Sequence, residues 1–521
     1  MKTTLKRLMF GMMLGAGVLM SACSDDVNHA SPGENNGPEI TEPTEKAFMA
    51  LNLTTGQFAK TRMIAVPPYE TETGEAEEGR VSQIRMVLYE LNTNRVKYMW
   101  DLDATTTGAG NVFQGNDVSN LQMATNSRFV SKAKPVDKQD YKLLILVNPQ
   151  EKLKAITMEG SPMEALYEPV EKPDGIALTD WIAQSNKFHM ANHQDLIYVD
   201  KNDLKFTETE AEQHPFYVSV ERGVAKILVR GNPVVLREGH RVENLTWDVD
   251  VTNKRMYWLR KPTHQAGYGN GAVNMEHANT FYYEKYAEDP NFEWFSHWNN
   301  PDTDLTQEFD YLTGTPELTR QFDTDFAYVL ENTMSAEEQR HDVTTRVLIR
   351  ATYIPSGLII ENRSGGTSFY TFKNYIIRMY DMQQYANAVQ IGDLNRIPQE
   401  LQQLGLAEAL DHTIMEMGLP ALQAPDASFA SNGIHYYYQG ICYYPVLIRH
   451  FDNYLAPTLM EYGRYGVVRN NVYRLNINSI TGPGYPVIDI PGTDPDDDTT
   501  MLSADIDILE WQIRNQDVNE L

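Results

Sequence analysis

The sequence predicts an all-β protein, mainly sandwich-like, with helical insertions, and three observations carry that prediction. Segments rich in Val, Ile, Tyr and Thr that alternate with polar residues recur at 84–88, 141–147, 217–229, 245–251, 345–354, 436–448 and 472–480. No βαβ rhythm joins them, which argues against a doubly wound sheet. The chain has 521 residues, 42% of them apolar and 10% aromatic, enough for a sizeable core divided over two or more domains.

The elements follow in order. Lys2, Lys6 and Arg7 precede the apolar stretch 8–20, and Ser21 and Ala22 supply small residues before Cys23. This pattern is a signal peptide over 1–22, too short to span a bilayer. Cys23 directly after it resembles the lipobox of bacterial lipoproteins, in which that cysteine becomes the lipidated first residue. Met20 stands where Leu is usual, and Ser24-Asp25-Asp26 resembles the acidic tag that sends some lipoproteins to the outer surface. No second apolar run of 18 or more residues occurs, so a lipid on the precursor is the expected membrane attachment.

Residues 24–45 are Pro, Gly, Asn and Glu, which reads as a flexible tether. Met49, Leu51 and Leu53 then alternate with Ala50 and Asn52, a short half-buried strand beginning at Phe48. Lys60-Thr61-Arg62, Pro67-Pro68 and five glutamates before Gly79 follow, an exposed and protease-accessible loop. Helical spacing at 163–171 and 398–410 reads as insertions between strands. A boundary near Val220 divides two strand-rich halves, 63–220 and 221–498. The acidic, Pro-rich stretch 482–498 reads as a stiff linker to the terminal segment 499–521. There Leu502, Ala504, Ile506 and Ile508 alternate with polar residues before the phase slips to Trp511 and Ile513, as a bulge or bend would produce. Such a strand needs a sheet to join, and the linker lets it join another molecule's.

Charge and composition narrow the function. A formal charge of −27, from 71 acidic and 44 basic residues, repels nucleic acid. Two cysteines make neither a disulfide framework nor a Cys-based zinc site. His189 and His193 have the spacing of a metalloprotease helix without its Glu and read as incidental. Asp494, Asp496 and Asp498 open like a calcium loop but lack its Gly and its final Glu, so a solvated linker is expected. Cys442, among Tyr443, Tyr444 and Val446, reads as a buried structural thiol. No nucleophile elbow, P-loop or dinucleotide fingerprint occurs. No catalytic residue, cofactor or metal is therefore expected. The aromatics Tyr282, Tyr283, Trp294, Phe295 and Trp298 suit core or interface better than a sugar platform.

Taken together, the lipobox, the stretch 48–53 with Arg62 downstream, Val218-Ser219-Val220-Glu221-Arg222-Gly223-Val224-Ala225-Lys226, Arg469-Asn470-Asn471-Val472-Tyr473 and the Trp-containing terminal strand resemble the FimA/Mfa fimbrilins of type V pili, especially the Mfa-type shaft subunit. These landmarks run in the family's order over essentially the whole chain. The resemblance implies two transthyretin-like β-sandwich domains and a non-enzymatic surface subunit supporting adhesion. It implies a lipidated propeptide, 23–62, carried to the outer membrane with its first strand (Phe48, Met49, Leu51, Leu53) filling a groove. An arginine-specific extracellular protease then cuts at Arg62, with Arg80 as fallback. The vacated groove recruits the C-terminal strand of another copy, with Leu502, Ile506, Ile508, Trp511 and Ile513 as plugs, so that identical subunits grow a head-to-tail filament with anchor and tip subunits at its ends. Host or bacterial surface receptors are the expected targets. The loop acids and the helix-rich insert 372–424 depart from the family pattern. Two other readings stand beside this one: a tip or anchor subunit or monomeric glycan-binding adhesin, and a lipoprotein glycosidase using a carboxylate pair.

Overall fold

Period-two alternation leaves one face of each strand apolar, so every such strand must find a sheet and every sheet a cover. In the computed structural model this happens twice. The described residues are 45–55, 71–107, 112–119, 128–193, 195–261, 287–292, 304–335, 338–357, 367–450, 465–492, 496 and 501–512. Cys23, Arg62, Ile513 and the aromatics at 282–283, 294–295 and 298 lie outside them.

The first sheet runs Arg95–Leu102, Ile84–Glu90, Tyr141–Val147, Met190–Asn192, Phe216–Arg222, Leu51–Thr55, Arg128–Val130, with Ile197–Val199 also on Tyr141–Val147. All neighbours are antiparallel except Leu51–Thr55, which is parallel to Phe216–Arg222. Leu143 to Val147 are fully covered, as the apolar run Leu-Leu-Ile-Leu-Val requires of an interior strand.

The second half is a pair of packed sheets. One runs Phe326–Val329, Ala225–Arg230, Asn471–Ile480, Leu502–Gln512, Thr71–Thr73; the other runs Arg320–Gln321, Arg241–Asp250, Arg346–Ile354, Ile441–Leu447. Ile227, Val229, Tyr473 and Leu475 from the first meet Trp247, Val347, Ile349 and Tyr444 from the second in one core. The chain is thus strand-dominated with helical insertions, as its pattern predicts. The insert is a separate small body: helices Met379–Ile391, Gln399–Gln403, Leu406–Met417 and Leu419–Gln423 share a core with strands Phe369–Phe372 and Ile434–Tyr437. Gly405, at φ 90, separates two of these helices where the spacing predicts one.

Several expectations are corrected. The helical patch at 163–171 is a single 3-10 turn, Met163–Tyr167, because Pro169 holds Glu168 extended; Val170–Glu171 then pairs with Arg255–Met256. The stretch 217–229 is two strands in different sheets, turning at Gly223-Val224. A Cβ at Gly223 would meet the His189 ring at 3.3 Å, a tight approach that glycine relieves where the chain crosses. The terminal strand is continuous over Leu502–Gln512, and the irregularity lies opposite it, between Ile477 and Ser479. Its pairing with Asn471–Ile480 from Leu502 to Glu510 puts the extra residue, Asn478, in the partner.

The acidic stretch 482–498 is no free spacer in its described part. Tyr485 and Tyr443 exchange backbone hydrogen bonds, as do Ile488 and Gly314, and Asp496 is buried beside Thr344, whose hydroxyl donates to it. Gly484 permits this docking, since a Cβ there would lie 2.1 Å from the Tyr443 carbonyl oxygen. Gly484→Ala is expected to lower the unfolding free energy by about 1–3 kcal/mol in denaturant titration, the ordinary cost of forcing atoms into a filled space.

Candidate functional site

Two strands and the polar junction between them form the site. The first strand is held along both edges. Lys46–Met49 pairs with Lys134–Asp137, and Phe48 exchanges backbone hydrogen bonds with Lys205 at 2.7 and 3.0 Å. Leu51–Thr55 lies between Phe216–Arg222 and Arg128–Val130. The Leu51 N–H donates to Ser131 Oγ at 2.8 Å, and the Ser131 N–H returns a bond to the Leu51 carbonyl at 2.8 Å. Half-burial was the expectation; instead Ala47 and residues 49–53 are buried on both faces, while Phe48 is the half-buried member. The reason is that the strand is interior to its sheet, so Ala50 and Asn52 are covered too. Burying Met49, Leu51 and Leu53 contributes about 1.5–3 kcal/mol each as an upper estimate.

The terminal strand Leu502–Gln512 lies antiparallel to Asn471–Ile480 of its own chain, with Leu475 opposite Ile506 and Tyr473 opposite Ile508. In the single chain the sheet it joins is its own. Leu502 is buried and Ile506 half-buried against the second core. At its far end the strand gains a second neighbour, Thr71–Thr73, parallel, which sets Thr71 opposite Glu510 and Glu72 opposite Trp511. Thr71–Thr73 is therefore an edge partner of the terminal strand.

Between the strands, buried charges tie distant segments together. Glu78, expected on an exposed loop, is 1% exposed. Its carboxylate accepts from Lys226 Nζ at 2.6 Å, from the Tyr328 hydroxyl at 2.6 Å and from the Glu75 N–H at 2.7 Å; its carbonyl accepts from Arg222 Nε at 3.1 Å. Asn470, left-handed at φ 58, accepts on Oδ1 from the Arg222 N–H and donates its own N–H to the Val224 carbonyl at 2.9 Å. Glu221 takes Arg260 through two 2.8 Å bonds and His193 at 2.9 Å. Burial alone would raise the Glu221 carboxyl, but Arg260 and His193 hold it below the usual range. Arg469 pairs with Glu331, both nearly inaccessible. Burial pushes the Arg222 guanidinium down to about 10 against the opposing pull of Glu78.

The sequence landmarks 221–226 and 469–473 thus meet in space. Their partners Glu78, Arg260, Tyr328 and Glu331 were missed, since nothing local marks them; the spacing of Glu75 and Glu78 in a reciprocal cap was the one available sign. Arg80 is half-buried between buried neighbours, and its carbonyl accepts from Asn148 Nδ2 at 2.9 Å. His189 and His193 flank a strand, not a helix, and their rings serve different partners, the Trp258 carbonyl and Glu221. Cys442 is buried, and burial raises its thiol to about 11.

Residues 435–517 match the family described as "Major fimbrial subunit protein type IV, Fimbrillin, C-terminal". The fimbrilin resemblance is borne out there, over a stretch that contains both Arg469-Asn470-Asn471-Val472-Tyr473 and the terminal strand. Among solved structures, the chain is similar to a fimbrilin, FimA, of Porphyromonas gingivalis (13% identity, TM-score 0.38, covering 91% of this chain and 99% of that one). It is similar to the tip fimbrial protein Mfa3 of the same organism, with C-terminal truncation (11%, 0.37, 89% and 100%). It is also similar to a candidate cell adhesion protein of Parabacteroides distasonis (14%, 0.42, 91% and 100%). No curated protein matches the chain in sequence.

Two outcomes test the junction. Lys226→Ala strands Glu78 without its ammonium partner and is expected to cost about 3–5 kcal/mol in denaturant unfolding, whereas Lys226→Met with Glu78→Leu costs much less than the two single changes added. Burial drives the His189 imidazole from its ordinary 6.5 down to about 4. The unfolded chain therefore binds that proton first, and stability is complete above pH 6.5 and lost as pH falls toward 4. His189→Phe is expected to flatten that part of the stability curve, worth about 3 kcal/mol in all.

Proposed function

We propose that the chain is a structural subunit of a surface fimbria, exported as a lipoprotein anchored at Cys23 and matured by an arginine-specific protease that cuts after Arg62. The observation that carries this reading is the first strand, buried at Ala47 and over 49–53, which residues 56–70 connect to a segment pinned at Glu78. Removing such a strand leaves ladder groups on both sides and an apolar trench without partners, which is a template for another strand. The terminal strand of a second copy, with Leu502, Ile506, Ile508, Trp511 and Ile513 as its plugs, fills it. Groove and donor belong to different halves divided near Val220, so the contact is heterologous and grows a filament.

Thr71–Thr73 links the two events. Cutting between 56 and 70 frees the upstream side of the segment that pairs with residues 510–512, so one cleavage releases the first strand and loosens the end of the donor. Arg80 fits the protease poorly, because its backbone is engaged by Asn148 and lies directly after the Glu78 anchor. The presence of a well-paired terminal strand favours a polymerising subunit over a tip subunit. The filament sits on the cell surface and meets host or bacterial receptors there.

Electron microscopy of the purified chain before and after arginine-specific proteolysis tests this. Filaments are expected only after cleavage, and their absence from a chain ending at residue 498 is the expected sign that the terminal strand is the donor. Arg62→Ala is expected to stop assembly. Filaments from protease-treated Arg62→Ala, lost on adding Arg80→Ala, would move the cut to Arg80; filaments from the truncated chain would overturn the donor assignment.

A further inference from the structure

A cavity of about 290 Å³ opens where the small sheet of the helical insert meets Ile441–Leu447 and the docked stretch 481–485. Its wall carries Arg237, Lys373 and His435 and, among the described residues, no Asp or Glu. In a chain with 71 acids for 44 bases that is the reverse of the overall balance. The nearest acceptors of the two permanent cations are neutral. Arg237 donates to the Asn374 carbonyl at 3.3 Å, and Lys373 to the Leu404 carbonyl at 2.7 Å. A carbonyl satisfies a proton but leaves the charge, so an incoming anion meets uncompensated positive potential.

Four tyrosines, 437, 443, 444 and 485, stand among the remaining lining residues, and two of them are fixed by hydrogen bonds. The Tyr437 hydroxyl donates to the Gly484 carbonyl at 2.8 Å and the Tyr444 hydroxyl to the Gly482 carbonyl at 2.9 Å. These bonds orient the rings and use up their hydroxyls. Tyr485, 51% exposed, stands at the rim, and Met501, 50% exposed, borders the mouth directly before the terminal strand. Tyr437, Tyr443 and Tyr444 are buried and form the floor, so the ring face open to a ligand is that of Tyr485, and such a face beside cations suits a ligand with one apolar face and one anionic substituent. The volume lies at the small end of ligand pockets, enough for about one ring and too short for an extended peptide.

We propose that this cavity binds a carboxylated sugar residue, a uronate, with Arg237 and Lys373 receiving the carboxylate and Tyr485 stacking on the sugar face. The guanidinium fork of Arg237 matches a carboxylate, and Lys373, next in sequence to the Asn374 that Arg237 bonds, adds a point charge beside it. This is a site of ligand capture on the second half of the chain, separate from the first-strand groove.

Isothermal titration of the full, unpolymerised chain tests it, so its outcome is independent of whether filaments form. The probes are a uronic-acid disaccharide, the matching neutral disaccharide, a sulfated disaccharide and an oligoglutamate. Binding of the uronate is expected, with the neutral sugar about tenfold weaker or more. Arg237→Gln with Lys373→Gln is expected to weaken the uronate by about tenfold or more, as loss of two charged hydrogen bonds implies, with an unchanged thermal midpoint. Tyr485→Ala is expected to weaken uronate and neutral sugar alike. Equal affinity for the neutral sugar, undiminished binding by the double variant, tighter binding of the sulfated sugar or of oligoglutamate, or no uronate binding at millimolar concentration would each overturn the assignment.

Discussion

The body of this protein depends on how a single buried carboxylate, Glu78, is partnered and covered. It lies where one strand-rich half gives way to the next, and its ligands come from residues 148 and 250 positions further along the chain, Lys226 and Tyr328. Such an arrangement costs desolvation at every member, so each charge is tolerable only while its partner is present. The consequence is positional. The segment 74–83, the Gly223 crossing and the turn at Asn470 cannot move separately, because Arg222 touches both Glu78 and Asn470. A second pair, Arg469 with Glu331, and a third, Arg260 with Glu221, extend the same rule across the junction.

What the sequence revealed and what it hid follow from the range of the interactions. Strand 141–147 is legible to the residue, and 472–480 to within one, because period-two alternation is local. The terminal strand was legible for the same reason, but its partner was not: an amphipathic strand advertises that it needs a sheet without saying whose. The buried side of Ala50 and Asn52 was hidden because burial of a second face depends on strands contributed from 128–130 and 216–222. Glu78 was misread as solvated among five loop glutamates, since composition cannot distinguish an acid in water from one paired with Lys226. The docked stretch 482–492 was misread similarly, its acids and prolines masking the glycine that lets it touch Tyr443.

The two strands of interest are alike in construction but not in neighbourhood. The first is interior, its backbone satisfied on both edges and its side chains covered on both faces. The terminal strand is paired from Leu502 to Glu510 along one edge and only at its end along the other, by Thr71–Thr73. The first is therefore locked by its neighbours on two edges, whereas the terminal strand is held chiefly by the ladder with Asn471–Ile480 and by Leu502 in the second core. The helical insert, with its own core of Tyr370, Met382, Leu401, Leu410 and Leu422, lies outside this arrangement and leaves it unconstrained.

The parallel contact of Leu51–Thr55 with Phe216–Arg222 also has a mechanical meaning. A strand seated between two neighbours and pulled along its own axis loads both ladders in shear, so its hydrogen bonds must fail together. One peeled from its end would lose them in turn. A slot of this geometry therefore resists drag along the strand far better than across it, as overlapped fibres in a rope resist being drawn apart.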